Sequence, residues 1–385
     1  MRLSMLILLL VGCGGAVRRS DAGSEPTDAA MSELDSGVDA GSNEDAGGVD
    51  AGSTDDAGCS SSACEYQPER TFLPAAPVLR TITYDDGFTD GGRSIEIALR
   101  RPQGAPTPLP VILYSHGGAS GLANATNVGA EWAAPLVRAG YLVVAIAHAP
   151  RDEASRAALC TSVGLTTLGD CARFKYLHWD RPHDVRQVID FLERTNAAGP
   201  LAGTLELSQL GYMGHSAGAG STEMVAGAAR QLGTSVVSLP DPRVRAFVGC
   251  SPEGPGDDGF FDASWDQVTR PFLTLSGVGD ETSEATPAMR PQPFLHMPAG
   301  EKYLGWITEA SARHTTFEHK TDACVTWQQQ RGADVARCET YFAWLESAAV
   351  SFFDAQLRGR QVARDYLASD SLRSLSGGAM EWNRR

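Results

Sequence analysis

The chain has 385 residues, 42% of them apolar, and a formal net charge of −15 at pH 7. That apolar content suits a globular protein with a sizeable core, and after residue 13 no apolar run approaches the roughly 20 residues a membrane-spanning helix needs. The negative balance, without any basic stripe, argues against nucleic acid as a partner.

In chain order, Arg2 is followed by the apolar run Met5 to Val11, which is too short to span a bilayer and reads as an export signal. It ends in Leu10-Val11-Gly12-Cys13, which resembles a bacterial lipobox, in which the signal is cleaved and the cysteine acquires lipid. A plain secretory signal with an incidental cysteine is the alternative. Gly14 after the cysteine, by resemblance to other bacterial lipoproteins, implies the outer membrane rather than inner-membrane retention. Residues 14–58 are low in complexity: Asp-Ala-Gly recurs at Asp21, Asp39, Asp45, Asp50 and Asp56, and eleven Asp/Glu stand against Arg18 and Arg19. Such a stretch buries too little apolar surface to offset its ordering entropy. The chain therefore divides into a signal over 1–13, a flexible tether over 14–76 and a folded domain over 77–385. The domain is expected to be a monomer that meets the membrane only through a lipid on Cys13.

An exported protein meets oxidising conditions, so disulfides are expected. Close spacing suggests Cys59–Cys64, Cys160–Cys171 and Cys324–Cys338, leaving Cys250 as a buried strand thiol in an apolar run. No Cys-x-x-Cys and no His-Glu-x-x-His occurs, so no metal site is expected.

The domain reads as alternating strands and helices. Leu79–Asp85 and Ser94–Arg100 alternate apolar and polar residues and predict an antiparallel start. Pro110–Ser115 and Tyr141–His148 are continuous apolar runs flanking a helical stretch, Glu131–Ala139, which is a βαβ unit of a parallel sheet. Pro182–Thr195 predicts a helix, Leu210–Met213 a strand and Ala217–Leu232 a helix of small residues. Val244–Cys250, Phe272–Ser276 and Lys302–Thr308 predict strands, and Tyr341–Leu357 a long helix. The count gives one doubly wound α/β sheet of about eight mainly parallel strands, with helices on both faces. Residues 149–180 are too long for a tight connection. They read either as a disulfide-stapled loop over the active-site edge or as a plain surface excursion.

The segment Gly214-His215-Ser216-Ala217-Gly218 has the Gly-x-Ser-x-Gly form, which is weak alone. Here an apolar strand enters it and a small-residue helix leaves it, as a nucleophile elbow requires. Serine needs a base. His314 follows the last predicted strand in the expected order of nucleophile, acid, histidine, with His319 next and His296 less well placed. The acid should follow Phe272–Ser276. Asp280 stands there, with Glu281 and Glu284 as rivals. Two backbone donors must hold an oxyanion: the amide of Ala217, and one from the loop Ser115-His116-Gly117-Gly118, where Gly118 is preferred over Gly117.

From about residue 77 to 370 the chain resembles the bacterial α/β-hydrolases related to platelet-activating-factor acetylhydrolase, often labelled predicted dienelactone hydrolases. The resemblance rests on Tyr114-Ser115-His116-Gly117-Gly118, Arg181-Pro182-His183-Asp184-Val185, the Gly-His-Ser-Ala-Gly segment, Arg243-Val244-Arg245-Ala246 and the ending Phe352-Phe353-Asp354-Ala355-Gln356-Leu357-Arg358-Gly359. Polyester hydrolases and cutinases are more distant relatives. It implies a Ser-Asp-His carboxylic ester hydrolase acting without a cofactor on a small or polymeric ester. True dienelactone hydrolases carry cysteine where this chain has Ser216. A serine peptidase or amidase on the same fold, and a non-catalytic binding protein, are the other readings. Pro182 and Asp184 are expected to act in ordinary helix capping, and Phe260, Phe261, Trp265 and Trp179 to line either an apolar pocket or the core.

Overall fold

The computed structural model describes residues 64–118, 124–165, 171 and 178–385. The signal, Cys13, the Asp-Ala-Gly stretch and Cys59, hence the Cys59–Cys64 pairing, lie outside the described residues.

Eleven strands are described: β1 (Val78–Tyr84), β2 (Arg93–Arg100), β3 (Leu109–Ser115), β4 (Leu142–Ala147), β5 (Leu205–His215), β6 (Ala229–Leu232), β7 (Ser235–Ser238), β8 (Ala246–Cys250), β9 (Phe272–Gly277), β10 (Lys302–Ile307) and β11 (Met380–Arg384). Nine form one sheet in the order β1-β2-β4-β3-β5-β8-β9-β10-β11. β3, β4, β5, β8, β9 and β10 are parallel, while β2 and β11 pair antiparallel with their neighbours. Every residue of β3, β4, β8 and β9 is buried. That is why these strands read as unbroken apolar runs: both faces of a parallel sheet are covered.

One face packs under the helices Ala130–Arg138 and Ala336–Gln356, through Trp132, Tyr341, Phe352 and Phe353. The other packs under Arg181–Ala197 and Ala217–Ala226, through Val188, Ile189, Leu192 and Met224. Phe260, Trp265 and Trp179 are buried in this second layer, so they are core rather than pocket wall.

The structure corrects three sequence expectations. The predicted helix Ala217–Leu232 stops at Ala226, because Gly227 takes φ 127°, and the chain then forms the β6–β7 hairpin. Residues 64–76, assigned by composition to the tether, pack on the domain. Tyr66 is buried and its hydroxyl donates to Asp354 Oδ2 at 2.9 Å, Tyr366 donates to the Cys64 carbonyl at 2.7 Å, and the Ala75 amide bonds the Arg101 carbonyl at 2.8 Å. A single buried aromatic ring supplies the apolar surface that the repeat upstream lacks. Finally, β11 gave no sequence signal, being five residues with charges at Glu381 and Arg384 and no apolar run. Its charged side chains blunt a sheet edge.

Disulfides join Cys160 to Cys171 and Cys324 to Cys338. The second ties the helix Thr321–Gln330 to Ala336–Gln356, just past His314. Cys250 is a fully buried free thiol, and burial pushes its pKa well up. Among the described residues, no helix is long and apolar enough to cross a membrane.

Asp184 was expected to serve the start of its helix. Instead it is a buried hub. It accepts Arg93 Nε at 2.7 Å and Nη2 at 2.9 Å, His148 Nδ1 at 2.8 Å and the Tyr84 hydroxyl at 2.5 Å. Burial alone would raise its pKa, but the bonds from Arg93 and His148 outweigh that and hold the carboxyl well below the usual range. Asp184→Ala should therefore leave Arg93 as an unpaired buried charge and cost about 3–5 kcal/mol. Urea unfolding at pH 7 measures it, and a loss under about 1 kcal/mol would contradict the role. Acid should act on the same region. Burial holds His148 at about 4 and His116 at about 2, so both stay neutral in the fold and gain protons on unfolding. Stability should thus fall as pH drops below roughly 6.5, and further below roughly 4 as Asp184 in the unfolded chain protonates.

Candidate active site

β5 runs straight into the helix Ala217–Ala226, and Ser216 sits on the turn between them. It has φ 53° and ψ −120°, a conformation that costs a non-glycine residue about 1–3 kcal/mol. The turn can be this tight because its flanks lack side chains. A Cβ on Gly218 would lie 2.1 Å from the Ser115 carbonyl oxygen, and one on Gly214 would lie 2.2 Å from that of Gly218. The Ser216 amide donates to the Cys250 carbonyl at 2.9 Å, which ties the turn to β8. The Ala217 amide begins the helix, at its positive end.

The loop after β3 lies alongside. A Cβ on Gly117 would stand 3.1 Å from Ser216 Cβ and 2.6 Å from His215 Nδ1, so only glycine admits this approach. Gly118 follows at φ 62°. The sequence-predicted loop and nucleophile are thus neighbours.

Asp280 lies past the end of β9, fully buried. Its Oδ1 pairs with His314 Nδ1 at 2.8 Å, and its Oδ2 accepts the Ser276 hydroxyl at 2.6 Å. Arg290 Nε lies 3.5 Å from Oδ1, and Arg290 Nη1 donates to the Ser251 and Pro252 carbonyls at 3.1 and 2.8 Å. Burial pushes the Asp280 carboxyl up, but the bond to His314 and the charge of Arg290 hold it well below the usual carboxylate range. It is an anion at neutral pH. Since it can only accept, His314 Nδ1 is the donor of this pair, which leaves Nε2 as the basic nitrogen of the neutral ring.

His314 opens the short helix His314–Phe317, and its side chain is 20% exposed. A backbone bridge between Gly279 and Arg313 brings the acid and histidine loops together. His215, next to Ser216, lies tilted against His314 with ring centroids 4.5 Å apart and meets its carbonyl through Nε2 at 3.1 Å. Ser216 and His314 are not directly hydrogen bonded.

The rivals lie elsewhere. His319 pairs with Glu346 at 2.9 Å and stacks on Phe342 at 4.2 Å between rings. His296 packs against Trp265. Glu281 and Glu284 are exposed.

Sequence reasoning missed Arg290, His215 as a support for His314, and the network below the loop: Ser115 Oγ meets His148 Nε2 at 2.8 Å and the Tyr212 hydroxyl at 2.7 Å, and Tyr212 donates to Ser221 at 2.8 Å. No local spacing announces these contacts, which join distant strands. A cavity of about 450 Å³ lined by Pro108, Pro110, Gln209 and Arg358 opens at the opposite end of the strands, away from Ser216.

Among the described residues, His178, Glu253 and Asp258 bring three ligand-type atoms within 4.8 Å of one another. Arg230 already pairs with Glu253 at 2.7 Å and Asp258 at 3.5 Å, so a guanidinium supplies the positive charge a metal would bring.

No family sequence profile and no curated protein sequence matches the chain. Among solved structures, a ferulic acid esterase from Streptomyces cinnamoneus is similar in fold, with a TM-score of 0.50 and 17% identity over 76% of this chain and 93% of that one.

Proposed function

We propose that this protein is a serine hydrolase of carboxylic esters, with Ser216 as nucleophile, His314 as base and Asp280 as the acid that orients it. The observation that supports this most is the 2.8 Å pairing of His314 with a buried carboxylate, next to a serine held at φ 53° on a strand-to-helix turn. In this reading Ser216 Oγ attacks the ester carbonyl while His314 Nε2 takes its proton. The imidazolium then protonates the leaving alcohol. Water, deprotonated by the same nitrogen, cleaves the acyl-enzyme and restores Ser216. The amides of Ala217 and Gly118 hold the oxyanion of each tetrahedral intermediate. No step needs a cofactor. We further propose export and anchoring through lipid on Cys13.

The test is a fluorophosphonate probe with peptide mass spectrometry, alongside p-nitrophenyl esters of rising chain length, a feruloyl ester, a polyester film and matched amides. Labelling of Ser216 with esters turned over faster than amides is the expected result. Labelling elsewhere, or none, counts against the assignment, and amide preference favours a peptidase.

A further inference from the structure

Arg181 is an anomaly as a structural residue. It is 4% exposed and is the first residue of the helix Arg181–Ala197. A cation is disfavoured at that end by the helix dipole and disfavoured again by burial. Among the described residues no carboxylate pairs with it. Its guanidinium instead donates to two carbonyls of the loop beside Ser216, to that of His116 through Nη1 and that of Gly118 through Nη2 at 2.6 Å.

The carbonyl between them is held too. The backbone amide of His148 donates to His116 Nε2 at 3.3 Å, so Nε2 is the acceptor and the proton sits on Nδ1. Nδ1 then donates to the Gly117 carbonyl at 2.8 Å. Three successive carbonyls of the loop are thereby tied back. In a planar trans peptide the N–H points opposite to the C=O of the same unit. The Gly117 amide shares a peptide with the His116 carbonyl, and the Gly118 amide shares one with the Gly117 carbonyl. Holding those oxygens fixes where the two amides point, and a donor on the oxygen also polarises the N–H.

We propose that Arg181 and His116 are positioning residues of the oxyanion hole, clamping the carbonyls of the 116–118 loop so that its amides stay aimed at the ester oxygen. This rests on the hydrolase reading above. Burial lowers Arg181 only to about 10, so it stays charged at neutral pH, and burial together with Arg181 keeps His116 neutral, the form the clamp requires.

The experiment compares matched oxo-ester and thiono-ester substrates on the intact 385-residue chain. Sulfur accepts hydrogen bonds poorly, so thiono-ester turnover draws little on the hole. In Arg181→Lys and His116→Ala, kcat for the oxo-ester should fall roughly ten- to a hundred-fold, below the full loss of a donor, with KM little changed and thiono-ester turnover nearly kept. His116→Asn, whose amide nitrogen can stand where Nδ1 does, should restore most of the oxo-ester rate. Should Arg181→Lys fail to fold, the His116 pair carries the same comparison. Equal loss on both substrates would overturn the proposal, making the residues props for the fold, and so would wild-type rates. Ser216→Ala run beside them separates the two readings: persistent turnover there overturns the hydrolase assignment itself.

Discussion

Ser216→Ala should lower kcat for ester hydrolysis on the order of 10⁶-fold and abolish fluorophosphonate labelling, with the fold intact. The side chain makes no hydrogen bond on which packing depends, and alanine tolerates the positive φ no worse than serine. Stability should therefore hold. His314→Ala should cost about as much, and the double variant no more than either alone, because nucleophile and base act as one unit. The non-additivity is the sharper measurement. Losses that multiply would mean that the two side chains work independently, and the proposed roles would fail.

Asp280→Asn should lower kcat by about 10⁴-fold, less than loss of the serine. Asparagine nearly preserves the shape, but its amide can present N–H where His314 Nδ1 now donates, which favours the wrong tautomer. It also removes the anion that stabilises the imidazolium. Since Asp280 is held well below the usual carboxylate range, it stays ionised as pH falls. The wild-type pH profile should then carry no limb from this residue near pH 4. Such a limb, absent in the Asn variant, would show that the carboxyl is not held as its contacts indicate. Arg290, alongside Asp280, would be left facing a neutral amide, so the variant should also unfold somewhat more readily.

The elements and the order of the site residues were legible because they are local. Continuous apolar runs marked β3 and β4, and the glycines around Ser216 marked the turn. Asp280 and His314 were singled out by their places after β9 and β10, and the structure pairs them. What stayed hidden depends on contacts across the chain. Asp184 looks like any acidic residue in a first helical turn, and its partners Arg93 and His148 are brought to it only when β2 and β4 align. Arg181 reads as an ordinary start of a helix until the loop after β3 lies against it. The β6–β7 hairpin was misread because Ala228 and Ala229 continue a helical composition, while the break at Gly227 is conformational. Tyr66 shows the opposite limit: composition averaged over a polar stretch concealed one ring with a place to go.

That ring has a mechanical consequence. Tyr66, Tyr141 and Arg358 converge on the carboxylate of Asp354, and Arg358 also holds the carbonyls of Ala139 and Gly140 just ahead of β4. The chain thus enters the domain at the amino ends of the parallel strands, whereas Ser216, Asp280 and His314 stand at their carboxyl ends. A pull transmitted from upstream of Cys64 would be borne by this knot and not by the loops that carry Ser216, Asp280 and His314. A domain held from that side keeps Ser216, Asp280 and His314 at the end of the parallel strands farthest from the hold.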